Sequence, residues 1–128
     1  MSDQVKQVID SITEYCLKAS EIEVLWLYGS RAKGTEQVNS DYDLAVALTA
    51  DHIGDYIWLD DLAYRLRQLT GADISIVDIN KAPVPLTVNI INDGKVLFCR
   101  DNLRMHREMQ RAWSMWEHFK YQYEHNRL

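Results

Sequence analysis

Apolar residues recur at the spacing of one helix face in three parts of the chain. The first part is 2–19, where Ser2 is a candidate N-terminal cap. Its apolar positions are Val5, Val8, Ile9, Ile12 and Cys16. The second part lies between Asp51 and Gly71, and Gly71 is a typical helix stop. The third part is 101–128, which contains neither glycine nor proline and therefore predicts one long helix.

Shorter apolar runs between these helices predict β-strands, because they are bounded by polar or turn-forming residues. The predicted strands are 22–28, 44–48, 72–79 and 96–99. Pro83 and Pro85 mark a loop, after which residues 86–91 can form a short helix. The third strand follows the second through a helical crossover and is expected to run parallel to it. The pattern predicts a small mixed sheet covered by helices, an α/β (α+β) fold with a long C-terminal helix.

The first predicted strand ends at Gly29-Ser30, where a helical turn can begin. Backbone N–H groups at the start of such a turn point toward anionic groups such as phosphate. After ten further residues, Asp41 and Asp43 stand at the head of the second strand, with both carboxylates on one face. Two like charges this close resist joint ionisation unless a cation lies between them. An ordinary turn and a solvated strand end explain each feature alone, but the combination favours a site for phosphate and metal.

The geometry of the site constrains the strand directions. Because Ser30 ends one strand and Asp41 begins the next, and both must reach one ligand, these two strands are expected to be antiparallel. The third strand offers Asp73 and Asp78, which are five residues apart and so lie on opposite faces. Only one of them can join Asp41 and Asp43. A parallel third strand in step with the second favours Asp73, for which a turn or capping role is the alternative, and Asp78 is the fallback candidate.

The composition limits the class of protein. A chain of 128 residues has room for one small domain with a single core. A formal net charge of -5 argues against a nonspecific nucleic-acid coat, and we expect no direct nucleic-acid binding. No apolar run approaches the roughly 18 residues that span a bilayer, and the polar N-terminus does not resemble a signal peptide. Cys16 and Cys99 form no disulfide framework, so we expect a cytoplasmic protein.

The segment 24–48 closely resembles the G-S-x10-D-x-D signature of the DNA polymerase beta type nucleotidyltransferase superfamily, in particular its minimal nucleotidyltransferase (MNT) members. The resemblance continues more loosely to about residue 99. It implies the fold of that superfamily for residues 1–100, with 101–128 as a helical extension that packs on the same unit or docks a partner. It also implies a third carboxylate on the next strand, and 73–78 looks like that strand.

The resemblance further implies an enzyme that uses ATP and Mg²⁺, with two metal ions expected. The expected catalytic and metal-binding residues are Asp41, Asp43 and Asp73. The expected nucleotide-binding residues are Gly29, Ser30, Arg31 and Lys33. A solvated basic turn is the alternative for Arg31 and Lys33. Ser40 is expected to shape the turn into the second strand.

MNT proteins of this size are similar to the antitoxin half of bacterial HEPN/MNT toxin–antitoxin pairs. In that family the MNT protein transfers AMP from ATP to a tyrosine of the HEPN ribonuclease toxin. The resemblance therefore implies a protein adenylyltransferase that acts as an antitoxin in a hetero-oligomer with its toxin, with the tail helix as a docking element. Two alternatives stay open: a nucleotidyltransferase that acts on a small molecule, and a noncatalytic antitoxin that neutralises its partner by binding.

The tail also carries two patterns of arginine followed by histidine, Arg100 with His106 and Arg111 with His118. Both fit the loose Arg-x(4 to 6)-His motif of the HEPN toxins themselves. Such two-residue patterns arise easily in a helix that contains several arginines and histidines. We interpret them as coincidence.

Overall fold

The computed structural model describes residues 3–37 and 39–126, with helices and strands alternating along most of the chain. The elements are α1 (Asp3–Leu17), β1 (Ile22–Tyr28), α2 (Ser30–Lys33), β2 (Tyr42–Leu48), α3 (Tyr56–Thr70), β3 (Ile74–Asp78), α4 (Val84–Asp93), β4 (Lys95–Cys99) and α5 (Asn102–Asn126). A short 3₁₀ turn, Ala50–His52, precedes α3. The predicted cap Ser2 and the last two residues of the predicted tail helix lie outside the described residues.

The four strands form one mixed sheet in the order β3-β2-β1-β4. β1 pairs with β2 and with β4 in antiparallel fashion, whereas β2 and β3 are parallel. Both predicted strand directions around the candidate site are therefore confirmed. The crossover helix α3 explains the parallel pair, since it returns the chain to the same end of the sheet.

Different helices cover the two faces of the sheet. Strand residues alternate between the faces, so Leu25 and Leu44 belong to one core and Trp26 and Ala45 to the other. α1 and α3 pack on the first face, and α4 and α5 pack on the second. Asp43 precedes Ala45 on the second face and is only half-buried. The start of β2 is therefore accessible on that face.

The structure shifts the strand boundaries around the predicted site. β2 begins at Tyr42, two residues before the apolar run 44–48 and one residue after Asp41, which was expected to begin the strand, so Asp43 lies inside the strand. β3 begins at Ile74 rather than at residue 72, so Asp73 immediately precedes it. Tyr42 and Ile74 are the first pair of the parallel ladder. Strand pairing, which hydropathy does not report, decides where each strand begins.

Gly71 ends α3 as predicted. It adopts a left-handed conformation with φ 70°, and its N–H donates to the Arg67 carbonyl at 2.8 Å.

α4 begins two residues earlier than predicted, at Val84, because Pro85 is accepted in the first turn of a helix.

Both cysteines are free thiols, in agreement with the absence of a predicted disulfide framework. Burial raises the pKa of Cys16 to about 12. Among the helices of the described residues, none combines the length and apolarity needed to cross a membrane.

Arg104 anchors α5 to the sheet through a buried polar cluster. Its guanidinium donates to the Leu48 carbonyl and to Asn80 Oδ1, both at 2.6 Å. It also pairs with Glu23 at 2.7 Å and with Glu108 at 3.0 Å. The first half of α5 is therefore tied to β1 and β2 and to the segment that follows β3. The division of the chain at residue 100 stays a prediction.

Glu108 completes this cluster from the same helix. Its side chain is 6% exposed and accepts hydrogen bonds from Arg104, Arg111 and Asn80. Burial alone would raise the pKa of Glu108, but the hydrogen bond and charge of Arg111, together with hydrogen bonds from Arg104 and Asn80, lower it on balance. The carboxylate is therefore held in its ionised form.

We expect the substitution Arg104→Met to lower the free energy of unfolding by about 3–5 kcal/mol, because it removes a cation that pairs with two carboxylates, one of them buried. Urea unfolding followed by circular dichroism measures this change. Arg107→Met replaces an exposed arginine of the same helix and is the matched control, with an expected change below about 0.5 kcal/mol. Equal destabilisation by the two substitutions would contradict an anchoring role for Arg104.

The contribution of Glu108 to stability is expected to depend on pH. Because its pKa is lower in the folded than in the unfolded protein, the stabilisation is present above the unfolded pKa and is lost as pH falls through the folded pKa. Glu108→Gln is therefore expected to destabilise fully at about pH 7 and progressively less below about pH 4. Unfolding curves of both proteins across this range test the prediction. A difference that stayed constant with pH would show that the charge of Glu108 is irrelevant.

Candidate active site

The turn after β1 has the geometry that the sequence predicts. Gly29 adopts φ 74° and ψ -155°, a conformation that residues with a side chain rarely adopt. Ser30 begins the short helix α2, and the N–H groups of Ala32 and Lys33 donate to the Gly29 carbonyl at 3.1 and 3.2 Å. Gly29 therefore redirects the chain from strand to helix within one residue.

The carboxylate of Asp43 lies directly against this turn. Tyr28 is the antiparallel partner of Asp43, so the next residue, Gly29, passes beside the aspartate. A Cβ atom at residue 29 would lie 2.5 Å from Asp43 Oδ2, which is closer than such atoms approach. Position 29 therefore needs glycine for two reasons, its backbone conformation and its contact with the carboxylate. The glycine turn and the aspartate thus lie together, as predicted.

Asp41 and Asp43 form a pair of like charges at the start of β2. Asp41 is exposed and Asp43 is half-buried. Burial raises the pKa of Asp43, and the neighbouring charge of Asp41 raises it further. Across residues 3–37 and 39–126, neither aspartate forms an ion pair with a basic side chain. Both observations indicate a site that a cation would stabilise.

Tyr28 flanks Asp43 on the β1 side, and its half-buried ring lies on the same face of the sheet. Burial raises the pKa of Tyr28, and the charge of Asp43 raises it further. The phenol therefore stays neutral beside the carboxylate. The sequence reasoning missed this neighbour, although strand alternation along β1 could have placed it on the site face.

The register of β2 and β3 locates the two acids proposed for the third position. The parallel ladder pairs Tyr42 with Ile74, and the Tyr42 N–H donates to the Asp73 carbonyl at 2.9 Å. By continuation, Asp73 lies level with Asp41, outside the first residue of β3. Asp73 is exposed and lines a cavity together with Tyr42, a residue of the first face. The choice of Asp73 stays a prediction.

Asp78 has a different environment. It pairs with Val46 in the ladder and so lies on the opposite face from Asp43. Its side chain accepts the N–H of Gly54 and the N–H of Asn80, both at 2.9 Å, and the residue is 4% exposed. Asp78 therefore organises two loops and does not face Asp41 and Asp43.

Ser75 occupies the position level with Asp43 on β3. It is exposed and on the same face of the sheet as Asp43. The sequence reasoning did not select it, because only the exact register of the parallel pair shows which β3 residue lies beside Asp43. Within the described residues, no three His, Cys, Asp or Glu side chains are grouped closely enough to hold a metal ion by themselves.

Arg31 supports the loop that leads into β2. Its guanidinium is buried, donates to the Ser40 carbonyl at 2.8 and 3.3 Å, and stacks 4.3 Å from the centre of the Tyr42 ring. These contacts hold the residues on either side of Asp41. The predicted phosphate contact of Arg31 stays a prediction, as does that of Lys33, which is exposed at the end of α2.

Ser40 shapes the turn into β2, as expected. Its hydroxyl accepts the N–H of Gln37 at 2.8 Å, which closes a short loop before Asp41. The side chain of Ser40 is thereby committed to the loop.

The arginines of the two Arg-x-His patterns have structural roles. Arg100 donates to the Ile22 carbonyl at 2.9 Å and to the Leu17 carbonyl, and so satisfies the C-terminal end of α1. Arg111 pairs with Glu108 at 2.8 Å and donates to the Ile79 carbonyl at 3.0 Å. These contacts agree with the interpretation of both patterns as coincidence.

The site fits a magnesium ion by the chemistry of its donors. Mg²⁺ prefers carboxylate oxygens and is commonly held by one or two of them together with substrate phosphates. Asp41 and Asp43 offer such oxygens on one face, and the missing side chain at Gly29 leaves backbone beside them. A bound nucleotide phosphate could therefore approach both the carboxylates and the α2 turn.

The chain is similar to known proteins in sequence and in fold. It is 35% identical to the protein adenylyltransferase MntA of Shewanella oneidensis over 78 residues, which are 61% of this chain and 55% of the relative. The match thus spans little more than half the length of that relative. A solved toxin–antitoxin structure with AMP-PNP has a TM-score of 0.73 at 22% identity, over 95% of this chain and 91% of the other. The structure of a tri-AMPylated Shewanella oneidensis HEPN toxin in complex with MNT antitoxin gives a TM-score of 0.71 at 20% identity, over 91% and 92%.

The family described as "Polymerase beta, Nucleotidyltransferase" matches residues 10–103. This range begins inside α1 and includes all four strands of the sheet. It therefore contains the glycine turn, the aspartate pair and the strand beside them. On this evidence the chain belongs to the polymerase beta nucleotidyltransferase family.

Proposed function

We propose that this chain transfers AMP from ATP to a hydroxyl group of a partner HEPN toxin, with a tyrosine as the acceptor, and thereby acts as an antitoxin. The observation that carries the proposal is the contact between the Gly29 turn and the Asp43 carboxylate, with Asp41 beside it. In this arrangement the candidate phosphate-binding turn and the candidate metal-binding aspartates are close enough to bind the same nucleotide. Nucleotidyl transfer requires both.

The residues of the site would have separate roles in metal binding, phosphate binding and proton transfer. Asp41 and Asp43 would hold Mg²⁺, which, when bound, lowers the pKa of an attacking hydroxyl and neutralises phosphate charge. The α2 turn with Ser30 would hold the outer phosphates through backbone N–H groups, and Arg31 and Lys33 would add charge-assisted contacts. Asp73, level with Asp41, is proposed to join the metal site or to accept the proton of the attacking hydroxyl.

The similar proteins support the choice of AMP and of a protein acceptor. The relative from Shewanella oneidensis is called a protein adenylyltransferase, and one similar fold belongs to an MNT antitoxin in complex with an AMPylated HEPN toxin. The toxin–antitoxin structure with AMP-PNP supports ATP as the donor. We place the reaction in the cytoplasm, where the free thiols Cys16 and Cys99 would remain reduced.

The second half of α5 is the proposed docking surface for the toxin. Beyond the buried Ala112, the helix exposes several aromatic side chains, in contrast to its anchored first half. These are Trp113 (48% exposed), Phe119 (38%), Tyr121 (57%) and Tyr123 (61%). Aromatic residues are enriched in protein interfaces, because they bury much area at a low cost in conformational entropy.

One experiment separates the proposed function from its two alternatives. The protein is incubated with ATP labelled at the α-phosphate, Mg²⁺ and a HEPN toxin encoded beside it. Label on the toxin supports the proposal. A stable complex without label supports a noncatalytic antitoxin, and label only on small hydroxylated compounds supports a small-molecule transferase.

We expect Asp43→Asn to reduce transfer by about a thousandfold or more, because it removes one of the two carboxylates that would hold the metal. The fold is expected to remain intact, since Asp43 makes no ion pair with any described residue and the amide is close in size. Label transfer and circular dichroism measure the two effects. Asp60→Asn, at an exposed position on α3, is the control and should transfer at the wild-type rate. Wild-type transfer by Asp43→Asn would refute the assignment of the metal site.

A second prediction uses two glycines that have nearly equal φ but different ψ. Gly29 has φ 74° and ψ -155°, a region almost restricted to glycine, whereas Gly34 has φ 75° and ψ 19°, in the left-handed region. An alanine therefore costs about 1–3 kcal/mol of backbone strain at position 29 and about 1–2 kcal/mol at position 34. At Gly34 an added Cβ meets nothing within 4 Å, whereas at Gly29 it would displace the Asp43 carboxylate. Gly29→Ala is therefore expected to reduce transfer by at least about a hundredfold, since misplaced catalytic groups lose this much rate.

Gly34→Ala is the control for strain at positive φ, with a smaller loss of stability and near-normal transfer. Thermal unfolding and label transfer are measured on both variants. Equal loss of transfer in the two would mean that strain in the loop, and not the contact with Asp43, governs the site.

A further inference from the structure

Two rows of side chains cross the second face of the sheet near the start of β2, where that face is accessible. The inner row contains Tyr28, Asp43 and Ser75, which are paired across β1, β2 and β3. The outer row contains Asp41 and, by continuation of the register, Asp73. Neighbouring strands are about 4.8 Å apart, so side chains within a row are the closest cross-strand neighbours.

The inner row holds one charge. Its central carboxylate, Asp43, has a phenol on one side and the exposed hydroxyl of Ser75 on the other. The outer row holds the remaining two acids, which are displaced by two residues along the strands. Three carboxylates are therefore near the site, but they are not arranged around one point, and this agrees with the absence of a three-ligand group among the described residues.

We infer that Ser75, and not Asp73 of the outer row, faces the same metal ion as Asp43 and supplies a neutral hydroxyl where a third carboxylate would otherwise lie, so that the free protein binds a divalent cation weakly and holds it firmly only together with a nucleoside triphosphate. This inference rests on the proposed function. Its physical basis is that the affinity of an oxygen-ligand site for a divalent ion rises with the number of charged ligands. The phosphates of the nucleotide then provide the charge that the inner row lacks.

The consequence is an ordered use of substrates. A protein that binds metal weakly alone takes up the ion as a metal–nucleotide complex, and the site is completed only when ATP is present. Residue 75 is then a determinant of metal affinity, and an aspartate there would build a site that is occupied before the nucleotide binds.

Mn²⁺ binding to the free protein, followed by the electron paramagnetic resonance of unbound Mn²⁺, tests this inference without any transfer reaction. The variants are Ser75→Asp and Ser75→Asn, which have similar size and differ in charge. Ser75→Asp is expected to bind Mn²⁺ about tenfold more tightly than wild type, and Ser75→Asn within about twofold of wild type. Equal affinity of the two variants, both folded by circular dichroism, would overturn the inference.

Two further measurements keep the test decisive. The wild-type protein is expected to bind Mn²⁺ with a dissociation constant on the order of a millimolar without nucleotide and far more tightly with a non-hydrolysable ATP analogue. Micromolar binding without the analogue would overturn the inference even if Ser75→Asp did not fold. The substitution Asp43→Asn distinguishes an error about Ser75 from an error about the metal site itself. If it weakens Mn²⁺ binding while Ser75→Asp has no effect, only the role of Ser75 is wrong. If it leaves Mn²⁺ binding unchanged, the metal site of the proposed function is wrong as well.

Discussion

The contact between the backbone of Gly29 and the carboxylate of Asp43 sets the geometry of the site. It follows from the antiparallel pairing of β1 and β2, which places Tyr28 opposite Asp43 and leaves the next residue to cross beside the acid. A side chain at that point would collide with the carboxylate. The glycine and the aspartate are thus one structural unit, although ten residues and a loop separate Ser30 from Asp41. The function of that loop is to reverse the chain so that the turn and the acid meet.

The loop that leads into β2 is held in place by the buried side chain of Arg31. Arg31 is buried, donates twice to the Ser40 carbonyl and stacks on Tyr42, and these two residues flank Asp41. Arg31 therefore holds both neighbours of the exposed aspartate, and its expected phosphate contact stays a prediction. An arginine just after a glycine turn has the sequence pattern of a phosphate ligand. Its burial and its contacts give it a positioning role that no sequence pattern could have shown.

Local patterns predicted most of the fold, because hydrophobic periodicity and the stop at Gly71 report on short segments. The antiparallel and parallel pairs followed from the requirement that Ser30 and Asp41 reach one ligand and from the crossover helix. The register of the strands could not be predicted from local patterns, because it depends on contacts between strands that are distant in the sequence. It decides that Ser75 lies beside Asp43 and that Asp73 lies further out. The buried cluster around Arg104 could likewise not be predicted from the sequence, because the partners of Arg104 come from four separate segments of the chain.

Asp78 and Asp43 lie in contrasting environments, and this contrast is the reason why a functional role is proposed for Asp43 and not for Asp78. Asp78 is almost fully buried, yet two backbone N–H groups satisfy its oxygens, so it needs no cation. Asp43 is less buried, but its nearest charge is another aspartate, and both burial and that charge raise its pKa. The ionised form of Asp43 is therefore less favoured here than in water, and no basic side chain of the described residues pairs with it. In the proposed function a divalent cation with a nucleotide would supply the missing positive charge, and the charge of the side chain at residue 75 would then determine how tightly the cation is held.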